Sequence, residues 1–283
     1  MKLHRFIDAP LAMYDIAAAE MLQEFHLRFR QQRPLLFVDQ IEEVPAAVIP
    51  GNAAAPTHAF DVIDGVAVIP ISGVLMHSRL GWADETTYST IQDKIIDAVA
   101  SQDVNAVALQ IASPGGEVSG LFELADTIHS LRGSKPIWSI LDDHAYSAAY
   151  AIASATDRIT VPRTGGVGSV GVITMHLDIS ELLEDYGINV SLIHYGERKT
   201  DYSLFKPLSD KARDKLQGDV NDIGVMFVDM VARNRKDQGL TRQRVKATEA
   251  GIFMGKAGVE AGFADAVMSP AEAFRELATS VKP

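Results

Sequence analysis

Short apolar runs alternate with stretches of helical periodicity along most of the chain after residue 60. The apolar runs predict strands at residues 66–71, 106–111, 137–140, 158–161, 171–175 and 190–194. Between them, apolar residues three or four positions apart predict helices at 88–101, 120–132, 148–156 and 179–186. Strands that alternate with helices indicate parallel βα units in an α/β fold.

The flanking segments differ from this regular alternation. A long amphipathic helix is predicted from 209 to 235, with Ser209 as its N-cap. Residues 1 to about 40 have helical patterns in patches, and residues 41–58 are rich in Pro, Ala and Gly, as linkers are. We therefore predict an N-terminal helical arm and linker over 1–58, the main domain over 59–270, and a C-terminal helix or tail over 271–283.

The composition excludes several classes of function. Against 26 basic residues there are 37 acidic ones, so a net charge of −11 argues against binding a nucleic-acid backbone. The absence of cysteine excludes disulfides, thiolate metal sites and cysteine nucleophiles. The first residues lack the apolar run of a signal peptide, and the apolar stretch 66–76 is too short to span a bilayer. We expect a cytoplasmic protein without a membrane anchor.

The first candidate for chemistry is Ser113-Pro114-Gly115-Gly116, which follows the predicted strand 106–111. Adjacent glycines at the end of a strand free the backbone to turn and to present N–H groups to a ligand. Such amides can stabilise the oxyanion of a tetrahedral intermediate. An ordinary turn from strand to helix explains the same residues.

A second candidate is Ser147, at the end of the strand 137–140 and the start of an alanine-rich helix. A hydroxyl at a helix start can point into a crevice, beside amides that carry partial positive charge. The simpler interpretation is that Ser147 only caps the helix.

Two further segments carry little chemistry on their own. The glycine-dense run 165–171, which contains Ser169, matches neither a dinucleotide fingerprint nor a phosphate-binding loop. A close backbone approach or a tight bend explains its glycines. Lys199 follows the predicted strand 190–194, and a lone loop lysine is ordinarily a solvated charge.

Taken together, in their order and spacing, these segments resemble the signal peptide peptidase A (SppA)-like family of Ser–Lys peptidases, over roughly residues 60 to 270. The similarity is greatest to the tailed-phage branch that processes proheads. The segments that carry it are Ser113-Pro114-Gly115-Gly116-Glu117-Val118, Ala145-Tyr146-Ser147-Ala148-Ala149-Tyr150, residues 162–172, Lys199-Thr200-Asp201, residues 205–210, Ala247-Thr248-Glu249-Ala250-Gly251 and residues 258–265.

The resemblance implies a ClpP/crotonase-like fold of ββα-type units around a parallel sheet. It also implies a role for each matching residue. Ser147 matches the nucleophile, Lys199 the general base, and Ser169 a serine that orients the lysine amine. The backbone amides of Gly115 or Gly116 and of Ala148 match the oxyanion donors. The resemblance implies neither a cofactor nor a metal.

The chemistry restricts where Lys199 can lie. A serine hydroxyl needs a base, and a free lysine with a pKa of about 10.4 is protonated at neutral pH. Burial lowers the pKa of a lysine by up to ~3–5 units, so Lys199 must lie in a water-poor site in the active enzyme. In the resembled family, short members form rings in which the lysine of one subunit meets the serine of its neighbour. We expect a ring-shaped homo-oligomer of this kind.

The expected substrates are polypeptides, namely scaffold, portal or capsid proteins in a maturing phage head; a general cytoplasmic SppA-like peptidase is the alternative. A Ser–His–Asp peptidase is a rival, with His144 or His176 as base and Asp143 or Asp178 as the orienting acid. A crotonase-like acyl-CoA enzyme and a catalytically silent scaffold protein are further alternatives. The eight histidines show no H-E-x-x-H spacing that would indicate metal catalysis.

Overall fold

The computed structural model describes residues 59–77 and 86–282 in full and the backbone of residues 11–13. Residues 11–13 form a short strand, β1 (Leu11–Met13). The rest of the predicted helical arm and the predicted linker lie outside the described residues.

A mostly parallel sheet forms the centre of the fold. Its main path runs in the order β10-β7-β6-β5-β3-β2. These strands are β2 (Asp61–Ile63), β3 (Val66–Met76), β5 (Ala106–Glu117), β6 (Ile137–Tyr146), β7 (Arg158–Val161) and β10 (Ala266–Val267). All neighbours on this path are parallel except β2 and β3. That pair is a hairpin whose turn, Asp64-Gly65, has positive φ at both residues, as such tight turns require.

Short strands extend the sheet at the carboxyl ends of its central strands. They are β4 (Thr86–Thr87), β8 (Gly166–Gly168) and β9 (Ile252–Met254). β4 pairs with β3, β8 pairs in parallel with the end of β6, and β9 pairs antiparallel with β8. β1 pairs antiparallel with the end of β5. Additional short strands therefore pair with the carboxyl ends of β5 and β6.

The helices confirm the predicted alternation to within a few residues. In the described part of the chain they are α1 (Tyr88–Ala100), α2 (Leu121–Ser130), α3 (Ala148–Ser154), α4 (Ser180–Asp185), α5 (Asp210–Asn234), α6 (Arg242–Lys246), α7 (Gly255–Glu260) and α8 (Pro270–Ser280). Ser209 caps α5 as predicted, because its hydroxyl accepts from the Ala212 N–H at 3.2 Å. No helix among the described residues is long and apolar enough to cross a bilayer.

Helices cover both faces of the central strands. The larger core packs α1, α2 and α3 against one face, with residues such as Ile95, Leu109 and Ile152 fully buried. A smaller cluster packs α8 against the other face, where Leu277 joins Trp138. Because both faces are covered, the strands are near-continuous apolar runs, as in other parallel sheets.

Two of the predicted strands are wrong. Residues 171–175 and 190–194 form no strand in the structure. A strand needs a neighbouring edge to pair its N–H and C=O groups, and residues 184–199 lie exposed along the surface instead. Conversely, β5 and β6 continue six residues beyond the predicted ends at 111 and 140. Both extensions carry the segments that the sequence marks for chemistry.

Candidate active site

Ser147 lies at the sharp turn between β6 and α3, and its side chain is fully buried. Its backbone has φ 51° and ψ −116°, a conformation that only glycine adopts without strain. Such strain costs about 1–3 kcal/mol and persists only where the surroundings impose it. The serine is therefore held in place by the fold, and the hydroxyl makes no capping hydrogen bond to α3.

Three hydrogen bonds impose this conformation. The Ser147 N–H donates to the Gly168 carbonyl at 2.9 Å, and the Ser147 carbonyl accepts from the Ala151 N–H at 2.9 Å. The Ser147 hydroxyl donates to the Gly171 carbonyl at 3.3 Å. The first and third bonds fasten the serine to the loop that contains Ser169.

That loop is itself strained and is held by a second loop. Ser169 has φ 56°, and its N–H donates to the Gly251 carbonyl at 3.0 Å. Two residues of the second loop, Glu249 and Ala250, also have positive φ, at 47° and 60°. Of the five non-glycine residues with positive φ within 59–77 and 86–282, these three and Ser147 form one connected group.

The glycines of the first loop are explained by close backbone approach, one of the two interpretations that the sequence allows. A Cβ on Gly171 would lie 2.7 Å from the Ala250 Cβ, and a Cβ on Gly168 would lie 2.6 Å from the Gly251 carbonyl oxygen. The role of residues 249–251 in supporting the serine is not predicted from the sequence. Their only signal there is Gly251 and the family likeness of the segment.

The Ser113-Pro114-Gly115-Gly116 segment is part of strand β5, so the prediction of a turn there is wrong. Ser113 pairs with Ala145 in the last pair between β5 and β6, so Gly115 and Ser147 each lie two residues beyond that pair. The Gly115 N–H donates to the Ser113 hydroxyl at 3.1 Å, and that hydroxyl donates to the Gly73 carbonyl at 2.7 Å. These contacts hold the backbone at Gly115, whose φ of 110° favours glycine.

The far end of this segment is anchored at Glu117. The Tyr88 hydroxyl donates to the Glu117 carbonyl at 2.5 Å, and the His77 N–H donates to the Glu117 carboxylate at 2.6 Å. A Cβ on Gly116 would lie 1.9 Å from the Leu75 carbonyl oxygen, so no side chain fits there. These contacts fix the position of both glycine amides.

Lys199 is the predicted site residue that the structure does not bring to this group. It lies in the 3₁₀ turn Glu197–Thr200, within the exposed segment 184–199. Its neighbour Arg198 forms an ion pair with Asp201 at 3.1 Å. In the described ranges, no hydrogen bond or ion pair joins the Lys199 side chain to Ser147 or Ser169. The single chain thus brings together Ser147, Ala148, Ser169, Gly115 and Gly116, without the amine.

The histidines of the rival triad have other surroundings. The His144 Nδ1 lies 2.9 Å from an Asp143 carboxylate oxygen, and its ring stacks on Tyr146 with centroids 4.7 Å apart. His176 and Asp178 line a cavity of about 630 Å³ that begins at Val172, directly after Gly171. The pKa of Asp178 is lowered because the Ser180 N–H and hydroxyl donate to its carboxylate.

Across residues 59–77 and 86–282, no three His, Asp or Glu side chains are grouped to hold a metal ion.

These observations define the class of the site. A strained, buried serine lies at a strand-to-helix turn at the carboxyl edge of a parallel sheet, where the neighbouring strand β5 carries two adjacent glycines. Residues 129–282, more than half of the chain, match the Peptidase family S49 profile. The chain therefore belongs to Peptidase family S49, which confirms the resemblance found in its motifs.

Its relatives include two phage proteins. The chain is 36% identical over 230 residues to the head-tail preconnector protein GP5 of Enterobacteria phage P21, covering 80% of this chain and 45% of that protein. It is 31% identical over 238 residues to the capsid assembly protease C of Escherichia phage lambda, covering 82% of this chain and 54% of that protein. The chain thus spans about half the length of the curated relatives that it matches.

Solved structures with some likeness in fold include an enoyl-CoA hydratase/isomerase family member, at 18% identity and a TM-score of 0.44 over 79% of this chain and 74% of that chain. A ClpP1 variant from Listeria monocytogenes is 11% identical, with a TM-score of 0.42 over 71% of this chain and 90% of that chain. The predicted α/β class with a mostly parallel sheet is confirmed by the strand pairings themselves.

Proposed function

We propose that this chain is a serine endopeptidase that uses Ser147 as its nucleophile and Lys199 as its general base. The observation that carries the proposal is the conformation of Ser147, whose backbone strain serves no purpose in capping α3. Membership of Peptidase family S49 and the printed name of the lambda relative, capsid assembly protease C, support hydrolysis of polypeptides.

In the proposed reaction, the Lys199 amine takes the proton of the Ser147 hydroxyl as the oxygen attacks a peptide carbonyl carbon. The backbone amides of Ala148 and of Gly115 or Gly116 stabilise the resulting oxyanion. The amine then gives the proton to the leaving amino group, and an acyl-enzyme forms. Water, activated by the same amine, releases the acyl group and returns the proton to Ser147. Ser169 is proposed to orient the amine.

Lys199 as a base requires water-poor surroundings, whereas it lies exposed among the residues that the structure describes. A lysine exposed to water stays protonated at neutral pH, whereas burial disfavours the ammonium form. The exposed segment 184–199 also presents large apolar side chains to solvent, among them Ile193 and Tyr195, which are 99% and 101% exposed. Contiguous apolar exposure of this kind is typical of an interaction surface.

We therefore propose that a second copy of the chain covers segment 184–199 and that Lys199 of one copy meets Ser147 of its neighbour. Burial against that neighbour would remove water from the amine and hide the apolar side chains at once. A ring-shaped homo-oligomer would bury both the amine and the apolar side chains. In a ring, every copy covers segment 184–199 of one neighbour and has its own segment covered by the other neighbour.

The proposed substrates are scaffold, portal or capsid proteins of a phage head, cleaved in the cytoplasm of the bacterial host. The names of the two phage relatives support this assignment. Mass spectrometry of head proteins assembled with wild-type or Ser147→Ala protein tests it. New protein termini that appear only with the wild type are expected, and identical termini in both samples would refute the maturation role.

The chemical part of the proposal has a separate test. A fluorophosphonate probe should label wild-type protein on Ser147 and leave Ser147→Ala unlabelled, and each of Ser147→Ala and Lys199→Ala should abolish hydrolysis of fluorescein-labelled casein. The expected loss is at least ~10³-fold, the scale seen when one member of a catalytic group is removed. A wild-type protein that takes up no probe and cleaves no casein would indicate a silent scaffold.

A further inference from the structure

The cavity that begins at Val172 lies directly beside the proposed nucleophile. The Gly171 carbonyl accepts from the Ser147 hydroxyl at 3.3 Å, so residue 172 follows this contact by one peptide unit. A compact cavity of about 630 Å³ is about 11 Å across, which is the length of three residues of extended chain at ~3.3 Å each. A polypeptide held at Ser147 therefore reaches this cavity with the residues next to its scissile bond.

Two walls enclose the cavity. One wall is part of the segment 172–178, and the other is a face of helix α5 whose residues follow one another at helical spacing: Arg213, Leu216, Gln217 and Val220. Most of the lining is apolar, with contributions from Val172, Ile173, Pro207, Leu208, Leu216 and Val220. A pocket of several hundred Å³ with apolar walls and a few charged groups is the usual form of a ligand site.

Arg213 brings an unpaired positive charge to this cavity. Among the arginines of residues 59–77 and 86–282, only Arg163 and Arg213 donate no side-chain hydrogen bond. Arg213 is also the fourth residue of α5, in the first turn, where the partial positive charge of the helix disfavours a cation. Neither an ion pair nor the helix stabilises the guanidinium, which leaves it available to a ligand.

The carboxylate on the opposite wall is already engaged. Asp178 accepts from the Ser180 N–H at 2.9 Å and from the Ser180 hydroxyl at 2.7 Å, and these bonds lower its pKa. In the part of the chain that the structure describes, no ion pair joins Asp178 to Arg213. An acidic group that enters the cavity therefore finds Arg213 as a cation without a competing partner.

From this arrangement we propose that the cavity binds the substrate polypeptide beside the scissile bond and that Arg213 selects an acidic side chain within about three residues of that bond. The inference rests on the proposed function, because the scissile bond is the one that Ser147 attacks. The guanidinium would donate hydrogen bonds to the carboxylate of an Asp or Glu of the substrate, in the paired geometry that arginine favours. The apolar walls would pack against the neighbouring substrate side chains.

Mass spectrometry of dephosphorylated casein, cut by wild type or by Arg213→Glu, tests the proposal. The wild type should favour bonds near Glu and Asp, and Arg213→Glu should favour bonds near Lys and Arg. The variant should fold, since Glu is favourable in the first turn of a helix. Lys211→Glu is the matched control, because it makes the same change of charge in the same turn but does not line the cavity. It should keep the wild-type preference.

Matched peptides measure the size of the effect. They are built on the best-cleaved casein bond, carry Glu, Gln or Lys at the preferred position, and have amidated C-termini, so the tested charge is on the side chain. An exposed ion pair is worth up to about fivefold, and repulsion of Lys acts in addition. The kcat/KM of the wild type should therefore be at least about tenfold higher for Glu than for Lys. Arg213→Glu should reverse this order, and Arg213→Gln should abolish it.

The outcomes separate the two possible failures. Cleavage that depends on Ser147 but shows no preference for acidic residues, or a preference that survives Arg213→Glu, would overturn the inference and leave the proposed function standing. An equal shift of preference in Lys211→Glu would assign the effect to overall charge and overturn the inference too. Casein cleavage that persists in Ser147→Ala, or no cleavage by the wild type, would refute the proposed function and the inference together.

Discussion

The Ser147 hydroxyl donates to the Gly171 carbonyl oxygen at 3.3 Å. This contact directs the hydroxyl toward the loop that contains Ser169. The carbonyl oxygen accepts the hydrogen bond but does not take the proton. A carbonyl oxygen is far too weak a base to activate a serine, so the proposed nucleophile needs a base other than the Gly171 carbonyl. Under the proposed function, activity therefore depends on the geometry around Gly171 and on the proposed base, Lys199.

Gly171→Ala should disturb that geometry. The new Cβ would lie 2.7 Å from the Ala250 Cβ, so one of the two loops must move. Overpacking of this kind costs about 1–3 kcal/mol of stability. A shift of the hydroxyl near 1 Å is expected to lower kcat for casein by about 100-fold. Urea unfolding and casein hydrolysis measure the two effects.

The chain offers both a matched control and a rescue for this substitution. Gly218 lies on the exposed side of α5 with no atom near its missing Cβ, so Gly218→Ala should keep full activity and gain up to ~1 kcal/mol. Ala250→Gly removes the clashing methyl and suits the φ of 60° at that position. If Gly171→Ala with Ala250→Gly stays as inactive as Gly171→Ala, the clash is not the cause.

Ser147→Gly should be more stable than Ser147→Ala. Both variants lose the hydroxyl, but only glycine relaxes at φ 51° and ψ −116°. The expected difference in the free energy of unfolding is about 1–3 kcal/mol in favour of glycine. Ser154, at the helical end of α3, is the control position, where glycine should be about 1 kcal/mol less stable than alanine. The same sign at both positions would mean that Ser147 is not strained.

Sequence patterns predict the α/β alternation well because it depends on burial. The apolar residues of helix α1 and strand β7 are spaced as in elements that pack against one core. The capping role of Ser209 depends only on residues next to it in the sequence. The patterns fail where a distant segment decides the structure. Residues 190–194 are apolar enough for a strand, yet they lie exposed and pair with no strand of the described part of the chain.

In the candidate site, too, local patterns predict some features, whereas distant segments decide others. Ser147 and the Gly115-Gly116 pair are identified by their places after predicted strands, and the structure places both at the carboxyl ends of neighbouring strands. The contact between Gly171 and Ala250 joins residues 79 positions apart, so no local pattern reveals it. The proposed meeting of Lys199 with Ser147 of a neighbouring copy is suggested only by the family likeness, because no local pattern predicts it.

Stability above pH 10 should depend on Tyr150, which lies on α3 three residues after Ser147. Burial raises the pKa of its phenol, and its hydroxyl donates to the Phe263 carbonyl at 3.0 Å. The unfolded chain loses this proton above its ordinary pKa of about 10, while the folded chain retains it. The contribution of the protonated Tyr150 phenol to the free energy of unfolding is therefore complete below pH 10. Above pH 10 it decreases by about 1.4 kcal/mol per pH unit.

Tyr150→Phe isolates this effect. At pH 7 the variant should be about 1 kcal/mol less stable, because the Phe263 carbonyl loses its donor. As the pH rises above 10 the deficit should shrink and then reverse, since phenylalanine does not titrate. Tyr88→Phe should behave alike, because burial and the nearby Glu117 raise the pKa of Tyr88. Urea unfolding at pH 7 to 11 provides the curves, and parallel curves for wild type and variants would contradict the argument.

The histidine rival predicts a different response to substitution. If His176 were the base, His176→Ala would lower kcat by ~10³-fold or more and change the pH–rate profile. With Lys199 as base, the profile should keep its shape, and His176→Ala should affect only the cavity beside Gly171. His144→Ala, which removes the contacts with Asp143 and Tyr146, is the parallel variant. Loss of the acidic limb in either variant would favour the histidine.

Mixing two inactive variants should restore activity if the dyad is shared between copies. Ser147→Ala supplies an intact Lys199, and Lys199→Ala supplies an intact Ser147. In an equal and random mixture within a ring, a working site needs one subunit of each kind in the right order, so about a quarter of wild-type casein hydrolysis is expected. Ser147→Ala mixed with the Ser147→Ala, Lys199→Ala double variant is the control and should remain inactive. Native mass spectrometry must verify that the oligomers are mixed, and no recovery in such oligomers would place serine and lysine in the same copy or exclude Lys199 as the base.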